Sequence, residues 1–67
     1  MRVSDVGRFL QAHPTVTLNA RPWGGPGEGF VVVLVSCTGQ PLDTFVDVDL
    51  EAAYLSAMAK VDPAWPT

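Results

Sequence analysis

Residues 30–35 form the longest apolar run in the chain, Phe-Val-Val-Val-Leu-Val. Because successive side chains of a strand point to opposite faces, this run predicts a strand that is hydrophobic on both faces. A chain of 67 residues has room for about two helices, which would cover one face of a sheet. We therefore expect the second face to be covered by something outside the chain.

Residues 15–21 alternate polar and apolar positions, which predicts a strand with one buried face. That face carries Val16, Leu18 and Ala20. The following segment, residues 22–29, contains four glycines and two prolines, a composition that supports neither a helix nor a strand. We expect an edge strand followed by a loop.

Residues 42–48 predict a third strand, paired with the second across a turn in which Gly39 can adopt a positive φ. On this strand Phe45 shares one side with Asp43 and Asp47. The other side carries Leu42, Thr44, Val46 and Val48. We expect this second set to face the helices, which places Phe45 on the outer face. A β-bulge near Gly39 would change which valines lie beside it.

A short helix is predicted over residues 5–12, with Ser4 or Asp5 as its N-terminal cap. Its apolar face carries Val6, Phe9 and Leu10. The helix should end before His13, because a residue that precedes proline is disfavoured in the helical region.

A second helix is predicted over residues 50–61, with Asp47 or Asp49 as its cap and an end before Pro63. Its apolar residues recur at helical spacing over about three turns. This stripe consists of Leu50, Ala53, Tyr54, Ala57, Met58 and Val61.

The predicted order α-β-β-β-α defines an α+β fold, in which a three-stranded antiparallel meander has both helices packed on one face. We expect a single small domain over residues 1–67, with an irregular tail over residues 62–67. Trp65 in that tail is expected to pack onto the body of the domain or onto a second subunit.

Apolar residues make up 48% of the chain and charged residues only 16%, a low charged fraction for the surface of a monomer. A core of this size usually leaves about 3–5 kcal/mol of stability, so association between chains is expected to add to it. The single Cys37 cannot form an internal disulfide, and we see no signal segment and no apolar run of about 20 residues. We expect a homodimer in a reducing, cytoplasmic setting, with no membrane partner.

The element order, with a Gly-Pro loop before a Phe-Val-Val-Val strand, resembles that of double-stranded RNA-binding domains. That resemblance implies a lysine cluster at the start of the last helix, which holds phosphates. The matching positions here are Asp47, Asp49 and Glu51, and the net charge is −3, so we do not expect nucleic acid as a partner. The second half of the chain, with Leu-Glu-Ala-Ala opening the helix, also resembles the antitoxin domain of small toxin-antitoxin pairs.

Three groups of residues are candidates for a metal-binding, phosphate-binding or catalytic site. The acidic cluster consists of Asp43, Asp47, Asp49 and Glu51. It lacks the spacing of a calcium loop, and we expect it to stabilise the helix start through the helix dipole. The glycine loop leads into a strand and contains no lysine, unlike phosphate-binding loops. A pair formed by Cys37 and His13 has no third group to orient it, so we expect neither enzymatic activity nor a metal or cofactor.

These features predict a non-enzymatic protein–protein interaction module. We expect a homodimeric inhibitor or adaptor of the kind found among phage and mobile-element proteins. The candidate interface residues are Trp23, Val31, Val33, Val35 and Phe45. The alternative is a small-ligand or nucleic-acid-binding module that uses the Gly/Pro loop around Trp23, together with Arg8 and Arg21.

Overall fold

The computed structural model describes residues 3–65. The elements follow the order α1 (Val3–Ala12), β1 (Val16–Pro22), β2 (Phe30–Ser36), β3 (Pro41–Asp47) and α2 (Leu50–Val61). The strands form one antiparallel sheet in the order β1-β2-β3, so β2 is central and β1 is an edge strand, as predicted. The α+β fold with the order α-β-β-β-α is confirmed. Neither helix in this part of the chain is long and apolar enough to cross a membrane.

Helix α1 begins at Val3, earlier than predicted, so Ser4 and Asp5 lie within the helix and do not cap it. In the first turn Asp5 instead forms an ion pair with Arg8, three residues further along. The helix ends at Ala12, as predicted, because the next residue precedes a proline.

Helix α2 has the predicted bounds, and Asp49 is its N-cap. The Asp49 side-chain oxygen Oδ1 accepts a hydrogen bond from the Glu51 N–H at 3.1 Å, which satisfies one of the free donors at the helix start. Asp47 in turn accepts a hydrogen bond from the Asp49 N–H at 3.0 Å. Of the two expected capping residues, Asp49 therefore caps α2 directly, and Asp47 holds the backbone of Asp49 in place.

The core lies between the two helices and one face of the sheet, which we call the inner face. One buried cluster consists of Phe9, Val16, Leu34 and Met58, and a second consists of Val32, Ala53 and Ala57. The first cluster joins a residue of α1 and a residue of α2 to the same two strands. Both helices therefore pack on the inner face, as predicted.

The β2–β3 pair contains a register shift close to the turn at Gly39, where the sequence left a bulge open. The shift falls between Leu34 and Val35, and Val35 pairs with Pro41, which leaves Leu42 as the extra residue on β3. Gly39 in the preceding turn has a φ of 89°, a conformation that favours glycine.

The expectation that Phe45 lies on the outer face is wrong. Phe45 pairs with Val32 and packs against both core clusters, so it faces the helices. Asp43 and Asp47, which share its side of β3, stay half-buried at the margin of the sheet, where their carboxylates keep contact with solvent. The set expected to face the helices is instead exposed, as shown by Leu42, Val46 and Val48.

The two ends of the described chain pack against each other. The His13 ring stacks on Phe9 with a centroid distance of 4.3 Å, and the Trp65 ring meets Phe9 edge-on at 5.4 Å. The His13 ring nitrogen Nδ1 lies 3.0 Å from the Phe9 carbonyl oxygen, and Nε2 lies 3.5 Å from Asp62 Oδ2. The tail therefore packs onto the body of the domain as far as Trp65, and its last two residues lie outside the described part.

Candidate functional site on the outer face of the sheet

The outer face is the side of the sheet that points away from the helices. Because side chains alternate along each strand, the residues between the inner-face positions lie on it. They are Thr17, Asn19 and Arg21 on β1, Val31, Val33 and Val35 on β2, and Thr44 and Val46 on β3. The outer face thus has a central column of three valines, with a polar margin on β1 and a further valine on β3.

The outer-face valines differ in exposure. Val31 is only 2% exposed, and its cross-strand neighbours on this face are Arg21 and Val46. Val33 and Val35 are half-buried, while Val46 is 51% exposed. Neither of the two core clusters includes any of these four valines. The structure therefore brings the predicted residues Val31, Val33 and Val35 together on the outer face, where Val31 is buried and Val33 and Val35 are half-buried.

The charges of the chain lie almost entirely away from the outer face. Its residues include one charged side chain, Arg21, which lies on the edge strand β1. All seven acidic residues fall within the described part of the chain, and each lies elsewhere: Asp5, Glu28, Asp43, Asp47, Asp49, Glu51 and Asp62. No acidic side chain therefore lies on the outer face itself.

One more row of residues crosses the sheet beyond the ends of the strands. The β1–β2 register continues to Trp23, whose N–H donates a hydrogen bond to the Gly29 carbonyl oxygen at 3.0 Å. On its other side Gly29 lies against the connection from β3 to α2, close to the Cα atom of Val48. We call these three residues, Trp23, Gly29 and Val48, the end row. The neighbouring row is Arg21, Val31 and Val46.

The centre of the end row must be a glycine. Gly29 has a φ of 111°, a conformation that side-chain-bearing residues rarely adopt. A Cβ atom there would lie 2.5 Å from the carbonyl oxygen of Asp47 and 2.9 Å from the Cα atom of Val48. The end row therefore has no side chain at its centre, between two exposed apolar side chains: Trp23 is 49% exposed and Val48 is 76% exposed.

A pocket of about 430 Å³ lies beside the end row. Gly29 and Val48 contribute to its lining, together with Phe30 and the prolines and glycines of the preceding loop, whereas Trp23 does not. The loop is braced by Glu28, whose Oε2 accepts a hydrogen bond from the Gly25 N–H at 2.9 Å. The loop that carries Trp23 is thus shaped by its own backbone and carboxylate contacts.

The other candidate residues, those of the acidic cluster and Cys37, form hydrogen bonds that belong to the fold. Asp43 accepts a hydrogen bond from the Thr44 N–H at 2.8 Å, and the acids at the start of α2 cap the helix as described above. Cys37 is exposed in the turn after β2, and its N–H bonds to the Thr15 carbonyl oxygen at 2.9 Å. Among the described residues, no three His, Cys, Asp or Glu side chains are placed to hold a metal ion.

Sequence reasoning missed Val46 and Val48, which it assigned to the helix-facing side of β3. Two aspartates share the side of β3 that carries Phe45, and this side nevertheless faces the helices. Phe45 was the better guide, because a large aromatic side chain contributes more to a small core than the valines of the other set. No protein-family model, curated protein or solved structure matches this chain.

Proposed function

We propose that this chain is a protein–protein interaction module without enzymatic activity, and that it forms a homodimer through the outer face of its sheet. The observation that supports the proposal is the apolar centre of the outer face, where the exposed Val46 lies beside the valine column of β2, of which Val33 and Val35 are half-buried. Exposed apolar surfaces of this kind mark interaction sites. We further propose that the homodimer acts as a small inhibitor or adaptor and that it works in the cytoplasm.

Association would stabilise a domain that has a small core of its own. Two sheets can pack face to face about 10 Å apart, with their inner side chains interdigitating. Fully burying a valine contributes roughly 1.5–3 kcal/mol relative to leaving it exposed. Because a partner that binds only the folded chain stabilises it by mass action, dimer formation and folding would support each other.

A charge placed in the valine column tests the proposal. The change Val33→Asp would bury an unpaired carboxylate in the dimer, so we expect the dissociation constant to rise at least tenfold by sedimentation velocity. The matched control is Leu55→Asp, an apolar-to-acid change at an exposed position on α2. The control should dimerise like the unchanged protein. If Val33→Asp and Leu55→Asp associate equally well, the outer face is not the interface.

The pocket beside the end row supports a second candidate function, a small-ligand-binding module. Its lining combines apolar side chains with the exposed backbone of the glycine loop, and ligand pockets often combine these features. Thermal-shift measurements with free indole, a mainly apolar aromatic compound, would test it. A rise in melting temperature that Val48→Lys abolishes would favour this candidate, and no shift with indole would count against it.

A further inference from the structure

We propose that the free edge of β1 binds an extended segment of another protein, which adds to the sheet as a further antiparallel strand. The inference rests on the proposed function as an interaction module, and it names the kind of partner that the module holds. Packing of two outer faces leaves the edges of both sheets open, so the segment and a second copy occupy different surfaces.

The hydrogen bonds at the two ends of β1 identify its free backbone groups. The Trp23 N–H donates to the Gly29 carbonyl oxygen, and the Cys37 N–H donates to the Thr15 carbonyl oxygen. Because hydrogen-bonded and non-hydrogen-bonded pairs alternate along an antiparallel ladder, the odd-numbered residues of β1 bond to β2. The backbone groups of the even-numbered residues point to the open edge. These residues are Val16, Leu18, Ala20 and Pro22.

The N–H donors that remain free lie in the middle of this edge. The Val16 N–H is already bonded to the His13 carbonyl oxygen, and Pro22 has no N–H. Leu18 and Ala20 remain, and the described part of the chain gives their N–H groups no acceptor. Facing residues of a hydrogen-bonded antiparallel pair exchange both N–H and carbonyl bonds, so an added strand satisfies both groups of each residue.

The opposite edge of the sheet is better protected. Thr44 of β3 faces Val33, a residue that bonds to β1, so the Thr44 N–H points away from β2. The Asp43 side chain accepts a hydrogen bond from this N–H at 2.8 Å, and the bulge at Leu42 interrupts the edge. Natural proteins protect edge strands with bulges and charged side chains. Strand β1 has no register shift and no charge between Val16 and Ala20, so it is the edge open to a strand.

The surroundings of β1 define the side chains that suit the segment. Arg21 is exposed on the outer side and forms no ion pair with a described residue, so an acidic side chain opposite it complements its charge. On the inner side Ala20 and Pro22 are exposed, and Pro22 also lines the pocket. Apolar side chains suit the positions opposite these two residues, because strand addition gains specificity from alternate side chains.

A second copy of the chain meets these requirements less well. Pairing of β1 with β1 of another copy would supply the backbone groups. However, β1 contains no acidic residue to place beside Arg21. A segment of another protein can supply both the extended backbone and the acid.

A short peptide tests the inference. In acetyl-Val-Glu-Val-Thr-Val-Thr-amide, antiparallel pairing sets the six residues against residues 22 to 17 in that order, with the glutamate opposite Arg21. At about 1 millimolar peptide, solvent exchange of the Leu18 and Ala20 amide protons, measured by NMR, should slow about twofold or more. The Val46 amide on β3 is the internal control and should exchange at an unchanged rate.

Two N-methylated versions of the peptide form a matched pair. A methyl group on the nitrogen of the third residue removes the N–H that bonds to the Ala20 carbonyl oxygen. The same group on the fourth residue, opposite Asn19, replaces an N–H that points away from β1. The first version should bind about fivefold more weakly than the second. Equal binding of the two versions would overturn the inference, and this comparison needs no change in the protein.

Protein variants test the same contact from the other side. Ala20→Pro removes an N–H that the β1–β2 ladder does not use, and it should weaken peptide binding about fivefold or more. Arg21→Glu should reverse the preference between the peptide and a version with lysine in place of glutamate. Protection of Leu18 and Ala20 that rises with protein concentration in the absence of peptide would show that a second copy holds the edge, which would overturn the inference.

The outcomes separate this inference from the outer-face homodimer. If the unchanged protein dimerises but the peptide leaves the Leu18 and Ala20 amides unaffected, the homodimer stands and the edge proposal is wrong. If the protein stays monomeric and the peptide protects these two amides, the homodimer is wrong and the edge proposal stands. Effects centred on β3 or on the valine column would contradict the edge proposal as well.

Discussion

The imidazole nitrogen Nε2 of His13 lies 3.5 Å from the carboxylate oxygen Oδ2 of Asp62, and this contact joins the end of α1 to the end of α2. Phe9, which is fully buried, and Trp65 pack beside it. Val6 and Leu10 of the same helix also pack against the core cluster that contains Phe9. The ring cluster therefore adds to the core packing that holds α1 on the remainder of the fold.

The first prediction follows from this cluster. Trp65→Ala should lower the free energy of unfolding by about 2 kcal/mol or more, because it removes the aromatic surface that covers Phe9. Chemical denaturation at low protein concentration measures the loss. Trp23→Ala is the matched control. Because the Trp23 side chain is half-exposed, the melting temperature of this variant should stay within a few degrees of that of the unchanged protein. Equal losses for the two variants would place Trp23 in the core as well.

The second prediction concerns the close approach of Gly29 to the end of β3. Gly29→Ala should cost about 3 kcal/mol or more, since it combines an unfavourable φ with a Cβ atom against the Asp47 carbonyl oxygen. Gly27→Ala isolates the first of these effects, because Gly27 also has a positive φ but no atom within 4 Å of the place a Cβ atom would take. It should cost about 1–2 kcal/mol. If the two variants are equally stable, the contact with Asp47 is not a tight one.

The third prediction tests the start of α2. Asp49→Ala should destabilise the fold by about 1 kcal/mol, because it leaves the Glu51 N–H without its capping acceptor. Asp49→Ser keeps a capping oxygen and should restore most of the loss. Urea denaturation of both variants measures the difference. A serine variant as unstable as the alanine variant would mean that the negative charge at position 49, and not the cap, provides the stabilisation.

The fourth prediction is that nucleic acid does not bind at physiological salt. Three acids lie together at the start of α2, and Arg8 is already paired with Asp5. Any affinity for duplex RNA or DNA should therefore be weaker than the roughly 10⁻⁴–10⁻⁶ M of non-specific binders. A gel shift at micromolar protein that weakens with added salt would contradict this. The double variant Arg8→Ala and Arg21→Ala would then show whether these two arginines carry the binding.

Local sequence rules were sufficient to predict the elements. The bounds of α2 follow from a stripe that runs unbroken from Leu50 to Val61, with an aspartate before it and a proline after it. The end of α1 follows from the His-Pro pair, and the loop after β1 follows from its glycines and prolines. Each of these signals acts over a few residues, so no knowledge of the tertiary structure was needed.

The orientation of β3 could not be predicted in this way, because it depends on register between strands. One extra residue at Leu42 turns every following side chain to the other face, and the sequence shows only that a bulge near Gly39 would have this effect. That Val31, Val33 and Val35 share one face of β2 was predicted correctly. Their neighbours Val46 and Val48 were not predicted on this face, because their position follows from the bulge.

The residues around His13 and Asp62 in the sequence likewise give no indication that these two side chains are in contact. The two residues lie at opposite ends of the chain, and the sequence indicates only that each follows a helix. Their meeting requires both helices to be packed on the inner face, with the tail folded back over Phe9. The same holds for the end row, which exists because the loop returns to the sheet at Gly29.

Sedimentation equilibrium of the unchanged protein tests the central claim, self-association through the outer face, most directly. The run should cover about 1–100 micromolar, because a dissociation constant in that range corresponds to the affinity of a modest interface. We predict a mass that approaches twice 7.2 kDa as the concentration rises, and a mass that stays near 7.2 kDa for Val33→Asp over the same range. A mass of 7.2 kDa for the unchanged protein at every concentration would contradict the account.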